Sequence, residues 1–128
     1  MSQQWQIKFY RQANGTEPVK EFLQASVLTQ AELKQIKARL KRLQEMGFML
    51  MVERSDILEK VDDNLYALRL ANTPNNPRIF LCFVKERIQI YLLHGYKKKD
   101  RKIPKQHLKI ALQRRDSILN QGDDYDTQ

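Results

Sequence analysis

Apolar and polar residues alternate at the start of the chain, where Trp5, Ile7 and Phe9 interleave with Gln4, Gln6 and Lys8. A period of two is that of a strand with one buried face, and Asn14-Gly15 then marks a turn. Thr16 is placed to cap a short helix that carries Pro18 early and Val19, Phe22 and Leu23 on one side. The period then changes. Leu33, Ile36, Leu40 and Leu43 recur at helical intervals behind the capping-box spacing of Thr29 and Glu32, and Gly47 stands where such a helix would stop. From Gly47 to Val61 the pattern is irregular. After Asp62-Asp63-Asn64 come three strand-like stretches, Leu65 to Leu70, Arg78 to Val84 and Ile88 to Tyr96. Their connections are too short for parallel crossovers, so an antiparallel meander is predicted. Pro104 is placed to start a last helix, whose apolar stripe is Leu108, Ala111, Leu112, Ile118 and Leu119.

Strand, two helices, three strands and a helix predict an α+β fold: a curved antiparallel sheet with two N-terminal helices and one C-terminal helix packed on it. One domain is expected over residues 1–122, followed by an acidic, loose tail at 123–128.

Composition then narrows the partners. The 128 residues hold 23 Lys and Arg against 15 Asp and Glu, a formal charge of +8, which favours a polyanion without saying which. Nucleic acid, an acidic protein and an anionic membrane surface all satisfy it. Cys82 is the only cysteine and sits in an apolar, strand-like setting, so a buried thiol in a reducing cytoplasm is expected. The opening residues have no signal-peptide pattern and no apolar run approaches a membrane span, so the chain reads as soluble, cytoplasmic and without a membrane partner.

Familiar catalytic signatures are missing. There is no Gly-rich phosphate loop, no nucleophile elbow and no histidine pair at metal-binding helical spacing, which argues against nucleotide, triad and metal mechanisms and predicts no cofactor. Instead, basic and hydroxyl groups gather on the predicted sheet and just after it. Arg69 and Arg78 lie in otherwise apolar strands, where an unpaired guanidinium is unfavourable. Either they pair with carboxylates such as Glu59 or Asp62, or they form a phosphate clamp with forked, charged donors. Lys34, Lys37, Lys41 and Arg42 share the other face of the long helix, as a solvated surface or a secondary binding site.

The ordered series Glu17-Pro18-Val19 with Phe22-Leu23, Leu43 with Gly47, Leu65-Tyr66-Ala67-Leu68-Arg69, Arg78-Ile79-Phe80, and Leu92-Leu93-His94-Gly95-Tyr96-Lys97-Lys98 with Pro104 and Ala111 resembles the RelE/ParE toxin superfamily, and within it the HigB-like, phage-derived toxins. The similarity runs over residues 5 to 119. It implies a toxin that enters the ribosomal A site and cuts messenger RNA without metal, neutralised by a cognate antitoxin protein. Such cleavage needs a proton taken from the 2′-hydroxyl, charge stabilised on the phosphate and a proton supplied to the departing 5′-oxygen. Arg69 and Arg78 would stabilise the phosphate. His94 has the side chain suited to proton transfer near neutrality, or is structural; Tyr96 would stack on a base, assist proton transfer or simply pack. Lys97 would serve as a base if a positive field lowers its pKa, while Lys98, Lys99, Arg101, Lys102, Lys37 and Lys41 would hold RNA backbone. One departure stands out: Ala67 occupies a position where the superfamily commonly has Glu, so any orienting of Arg69 by that carboxylate is absent or supplied elsewhere. The superfamily also contains gyrase-directed members that are not nucleases.

Overall fold

The computed structural model describes residues 4–70, 72–99 and 102–127, with side chains described up to residue 120. The chain runs as strand β1 (Gln6–Phe9), helices α1 (Pro18–Gln24), α2 (Gln30–Met46) and α3 (Met49–Glu53), strands β2 (Leu58–Asp62), β3 (Leu65–Arg69), β4 (Pro77–Val84) and β5 (Gln89–Lys97), and helix α4 (Lys105–Thr127). The α+β class holds. The expected acidic tail falls where α4 continues to Thr127 but side chains lie outside the described residues.

Helix α2 begins with the capping box read from the sequence: Thr29 accepts from the Glu32 backbone, and the Glu32 carboxylate accepts from the Thr29 N–H at 2.9 Å. It ends at Gly47, whose φ of 56° is open to glycine and whose missing side chain leaves room for the indole of Trp5. Thr16, by contrast, does not cap α1. The N-cap is Glu17, and Thr16 instead bonds Asn14 and Gln12 within the preceding turn.

The sheet has the order β1-β5-β4-β3-β2. Strands β2 to β5 pair antiparallel, as the short connections predict, but β1 lies parallel to β5, so the sheet is mixed rather than antiparallel. The long segment of helices between β1 and β2 permits that parallel return. Strand β2 and helix α3 occupy the stretch that showed no sequence pattern. Strand β2 sits at the sheet edge with only Leu58 fully buried, and α3 is five residues long, so neither repeats its period often enough to be read.

Both sheet faces are covered. On one, Leu58, Leu68, Ile79, Leu81, Phe83 and Ile90 pack with Val19 of α1, Ile36 and Leu43 of α2 and Leu50 of α3. On the other, Leu65, Ala67, Phe80, Cys82, Leu93 and Tyr96 meet Ala111 and Ile118 of α4. Because strand side chains alternate, Arg69, Arg78 and Tyr96 all belong to the α4 face. Between them and the body of the core, a bulge at Phe80/Leu81 brings His94 onto that same face. Among the described residues no helix is long and apolar enough to cross a membrane.

Candidate functional site

Arg69, Arg78 and Tyr96 stand side by side on β3, β4 and β5: Arg69 is the register partner of Arg78, and Arg78 of Tyr96. The next row inward is Ala67, Phe80 and His94. Two sheet arginines predicted from sequence are thus neighbours, and the candidate aromatic and histidine flank them on one surface.

The two guanidiniums are held differently. Arg69 donates from Nη1 to Glu59 at 2.6 Å, from Nε to the Asp56 carbonyl at 2.9 Å and from Nη2 to the Ser55 carbonyl at 3.3 Å, so each nitrogen has a partner. Of the two readings for buried strand arginines, carboxylate pairing therefore describes Arg69. Asp62, the other candidate, is engaged by Arg115 at 2.9 Å. Arg78 donates only through Nη1, to the carbonyls of Leu70, Asn76 and Pro77 at 2.7, 3.3 and 3.2 Å. Its Nε and Nη2 have no partner among the described residues. Burial and then the neighbouring Arg69 push its pKa down, yet a guanidinium remains charged at any accessible pH.

The carboxylate missing at position 67 is supplied from the adjacent strand. Glu59 on β2 is the register partner of Ala67 on β3, which places its carboxylate one strand over on the same face, within reach of Arg69. From the opposite side of the sheet, Arg39 of α2 donates to the Arg69 carbonyl, and Glu32 of α2 accepts from both the backbone and the side chain of Asn75 at 2.9 and 2.6 Å. That loop also provides Asn76, whose carbonyl accepts from Arg78 and from the Lys98 backbone. Burial acts to raise the Glu32 pKa, but the hydrogen bonds from Thr29, Asn75 and Thr73 outweigh it and bring it to about 2.

His94 is half-buried, and its surroundings change what it is fit to do. Burial, then Arg114 and His107, lower its pKa to about 4, so the ring is neutral at pH 7. Its Nε2 lies 2.8 Å from Nδ1 of His107, and its Nδ1 lies 3.4 Å from Nη1 of Arg114. With both ring nitrogens engaged, His94 is fitted to orient rather than to carry protons in and out. His107, at the start of α4, stacks on Tyr96 with ring centroids 4.4 Å apart and planes 15° apart. Nothing in the α4 sequence ties it to the sheet; only the packing of α4 does. Tyr96 itself is buried, its hydroxyl has no hydrogen-bond partner among the described residues, and burial raises its pKa against the opposing effect of Arg78.

The remaining predicted residues are not gathered here. Lys97 follows Tyr96 along β5, so strand alternation turns it to the opposite face, and its side chain is exposed. Lys98 and Lys99 continue past the strand end, Lys99 exposed and Lys98 partly so, and Lys102 is exposed before α4. Arg101 lies outside the described residues. Lys37 and Lys41 are exposed on α2, which packs on the face away from the arginine row, and so form a separate surface. Cys82 is fully buried with its thiol pushed up to about 12 by burial, an inert core residue. Among the described residues no cluster of three or more His, Cys, Asp or Glu is placed to hold a metal ion.

The arrangement can therefore bind an oxyanion: two adjacent guanidiniums, one with open donors among the described residues, beside an aromatic stack. No curated protein matches the chain. A family described as Phage derived protein Gp49-like (DUF891) matches residues 21–116, a span that contains the arginine row, His94, Tyr96 and His107. Since that match covers most of the chain, the protein belongs to the phage-derived Gp49-like family.

Proposed function

We propose that this chain is the toxin of a type II toxin-antitoxin pair, acting in the cytoplasm as a ribosome-dependent endoribonuclease that cuts messenger RNA without metal. The observation that carries this reading is Arg78, charged and half-buried with Nε and Nη2 uncommitted among the described residues, in register with Arg69 and Tyr96. Phage-derived, toxin-like family membership and the +8 charge support it.

The chemistry needs little from the protein beyond position and charge. The 2′-oxygen of the RNA attacks the adjacent phosphorus, the bond from phosphorus to the 5′-oxygen breaks, the 2′-hydroxyl gives up its proton and the 5′-oxygen gains one; the products are a 2′,3′-cyclic phosphate and a 5′-hydroxyl end. Arg78 binds the phosphate through its open donors and stabilises the extra charge that develops there. Arg69, held by Glu59, adds positive field from the neighbouring strand. Lys98, Lys99 and Lys102 hold the RNA backbone on either side. The cognate antitoxin carries acidic segments that cover this surface.

Adding the purified protein to a translation extract with and without ribosomes, and mapping new RNA 5′ ends, tests the reading. Cleavage is expected only with translating ribosomes. Arg78→Ala is expected to lose cleavage and growth arrest by 100-fold or more, on the order of what a removed transition-state donor costs, with its circular dichroism unchanged. Unchanged transcripts would overturn the nuclease.

One observation favours a second reading, a toxin that inhibits gyrase by binding alone: His94 has both nitrogens engaged and the Tyr96 hydroxyl is buried, which leaves the site poor in exposed acid-base groups. Its mark is intact transcripts with reduced supercoiling.

A further inference from the structure

The most informative feature that the clamp does not explain is the chain of nitrogen atoms that runs from α4 to β5 and back to α4. Arg114 donates from Nη1 to the Leu93 carbonyl at 2.8 Å and sits 3.4 Å from Nδ1 of His94. An arginine has no acceptor, so His94 Nδ1 must be the lone-pair nitrogen and the ring proton must reside on Nε2. That Nε2–H points at His107 Nδ1, 2.8 Å away, which must in turn accept. With Nδ1 accepting, the N–H that His107 can offer is at Nε2, the nitrogen with no partner among the described residues. The position of Arg114 is itself fixed, because its guanidinium lies over the ring of Tyr10 at 5.2 Å.

The ring that ends this chain is also set in angle. It stacks on Tyr96 at 4.4 Å, and Tyr96 is the register neighbour of Arg78, whose free donors mark the anion position. An imidazole N–H held in place by packing and by a hydrogen bond to its other nitrogen is a preorganised donor, and such a donor stabilises developing negative charge without moving its proton.

We propose that His107 is a substrate-contacting residue of this site, whose Nε2–H, fixed in tautomer by the Arg114 and His94 chain, donates to an oxygen of the phosphodiester that Arg78 holds. This deepens the nuclease reading and rests on it. The charged and titratable groups that face the His107 ring are His94 and Tyr96 from β5, with Arg114 behind His94 on α4 and Arg78 beyond Tyr96 on β4.

Three substitutions separate a donor from a packing ring and from a proton carrier. His107→Phe keeps the stack on Tyr96 and removes the donor; His107→Gln keeps an N–H donor and an acceptor for His94 but cannot titrate; His107→Ala removes everything. Cleavage by translating ribosomes is expected to fall about 100-fold in His107→Phe and His107→Ala and to stay within about tenfold of wild type in His107→Gln. Nitrogen-15 spectra of the wild type should show the His94 ring protonated at Nε2 and not at Nδ1 at pH 7. Full activity in His107→Phe, or loss in His107→Gln equal to that in His107→Ala, overturns the donor role while leaving the nuclease intact. If wild type itself cleaves nothing, the nuclease reading falls and this inference falls with it, and the variants are not needed to tell the two apart.

Discussion

At the scale of single residues, the instructive comparison is between Arg69 and Arg78. They are neighbours of the same type, and the sequence left open whether such arginines pair with carboxylates or clamp an anion. Carboxylate pairing holds for Arg69, because β3 lies next to the strand that carries Glu59, whereas Arg78 on β4 donates only to backbone carbonyls among the described residues. Glu59 was legible as one of two candidate carboxylates, but β2 had no readable pattern, so no register could place it across from Ala67 and choose it over Asp62. With the Arg69 and Glu59 side chains 29% and 42% exposed, the pair contributes only about 0.2 to 1 kcal/mol to stability. On the proposed reading its role is orientation. Glu59→Ala should therefore leave the urea midpoint within that range while reducing messenger-RNA cleavage at least tenfold, and Ala67→Glu in the same background should recover part of the loss. Equal losses of stability and activity would instead make Glu59 a structural residue.

Secondary-structure elements were readable in proportion to how often they repeat their period. The 17 residues of α2 show several helical turns and a capping box, and the strands of the meander are long and apolar, so all of these were visible. A five-residue edge strand and a five-residue helix were not, and nothing local could reveal that β1 joins the far edge parallel to β5. The candidate site followed the same rule. Its sheet residues lie in readable strands, whereas His107 and Arg114 come from α4 and depend on how that helix docks. The opposite face has its own docking constraint at Gly95, between His94 and Tyr96: a Cβ there would lie 2.6 Å from the ring of Phe22 on α1. The packing of α1 against β5 thus fixes the height of the strand that carries both aromatic site residues. Gly95→Ala should lower stability by roughly 1 to 3 kcal/mol, as overpacking does, and weaken cleavage through displaced His94 and Tyr96. A second change, Phe22→Leu, should relieve both effects together. Stability restored without activity would separate the packing of α1 from the site.

The whole molecule places its basic groups on two sides of the sheet, the arginine row on the α4 face and the exposed Lys37 and Lys41 of α2 on the other, with half-buried His94 on the first face and buried Glu32 on the second. Those two groups determine how the fold responds to acid. His94, with its pKa lowered from 6.5 to about 4 by burial, Arg114 and His107, binds its proton less readily folded than unfolded. Its contribution is fully present above pH 6.5 and is lost as the pH falls from there to about 4, on the order of 2 to 3 kcal/mol. Glu32, lowered from 4.5 to about 2, keeps its charge in the fold after the unfolded chain has taken a proton, so its contribution is lost between pH 4.5 and about 2. The two windows adjoin, and stability should decline continuously from near neutrality rather than only below pH 4.5. Urea denaturation at pH 7, 5.5 and 4.5 reads the upper window by itself. In His94→Gln, which has no proton to gain, the midpoint should be nearly constant over those three values while the loss below pH 4.5 remains. A slope above pH 4.5 as steep in the variant as in wild type would show that some group other than His94 governs the acid response, and the neutral His94 from which the contact to His107 starts would lose its thermodynamic support.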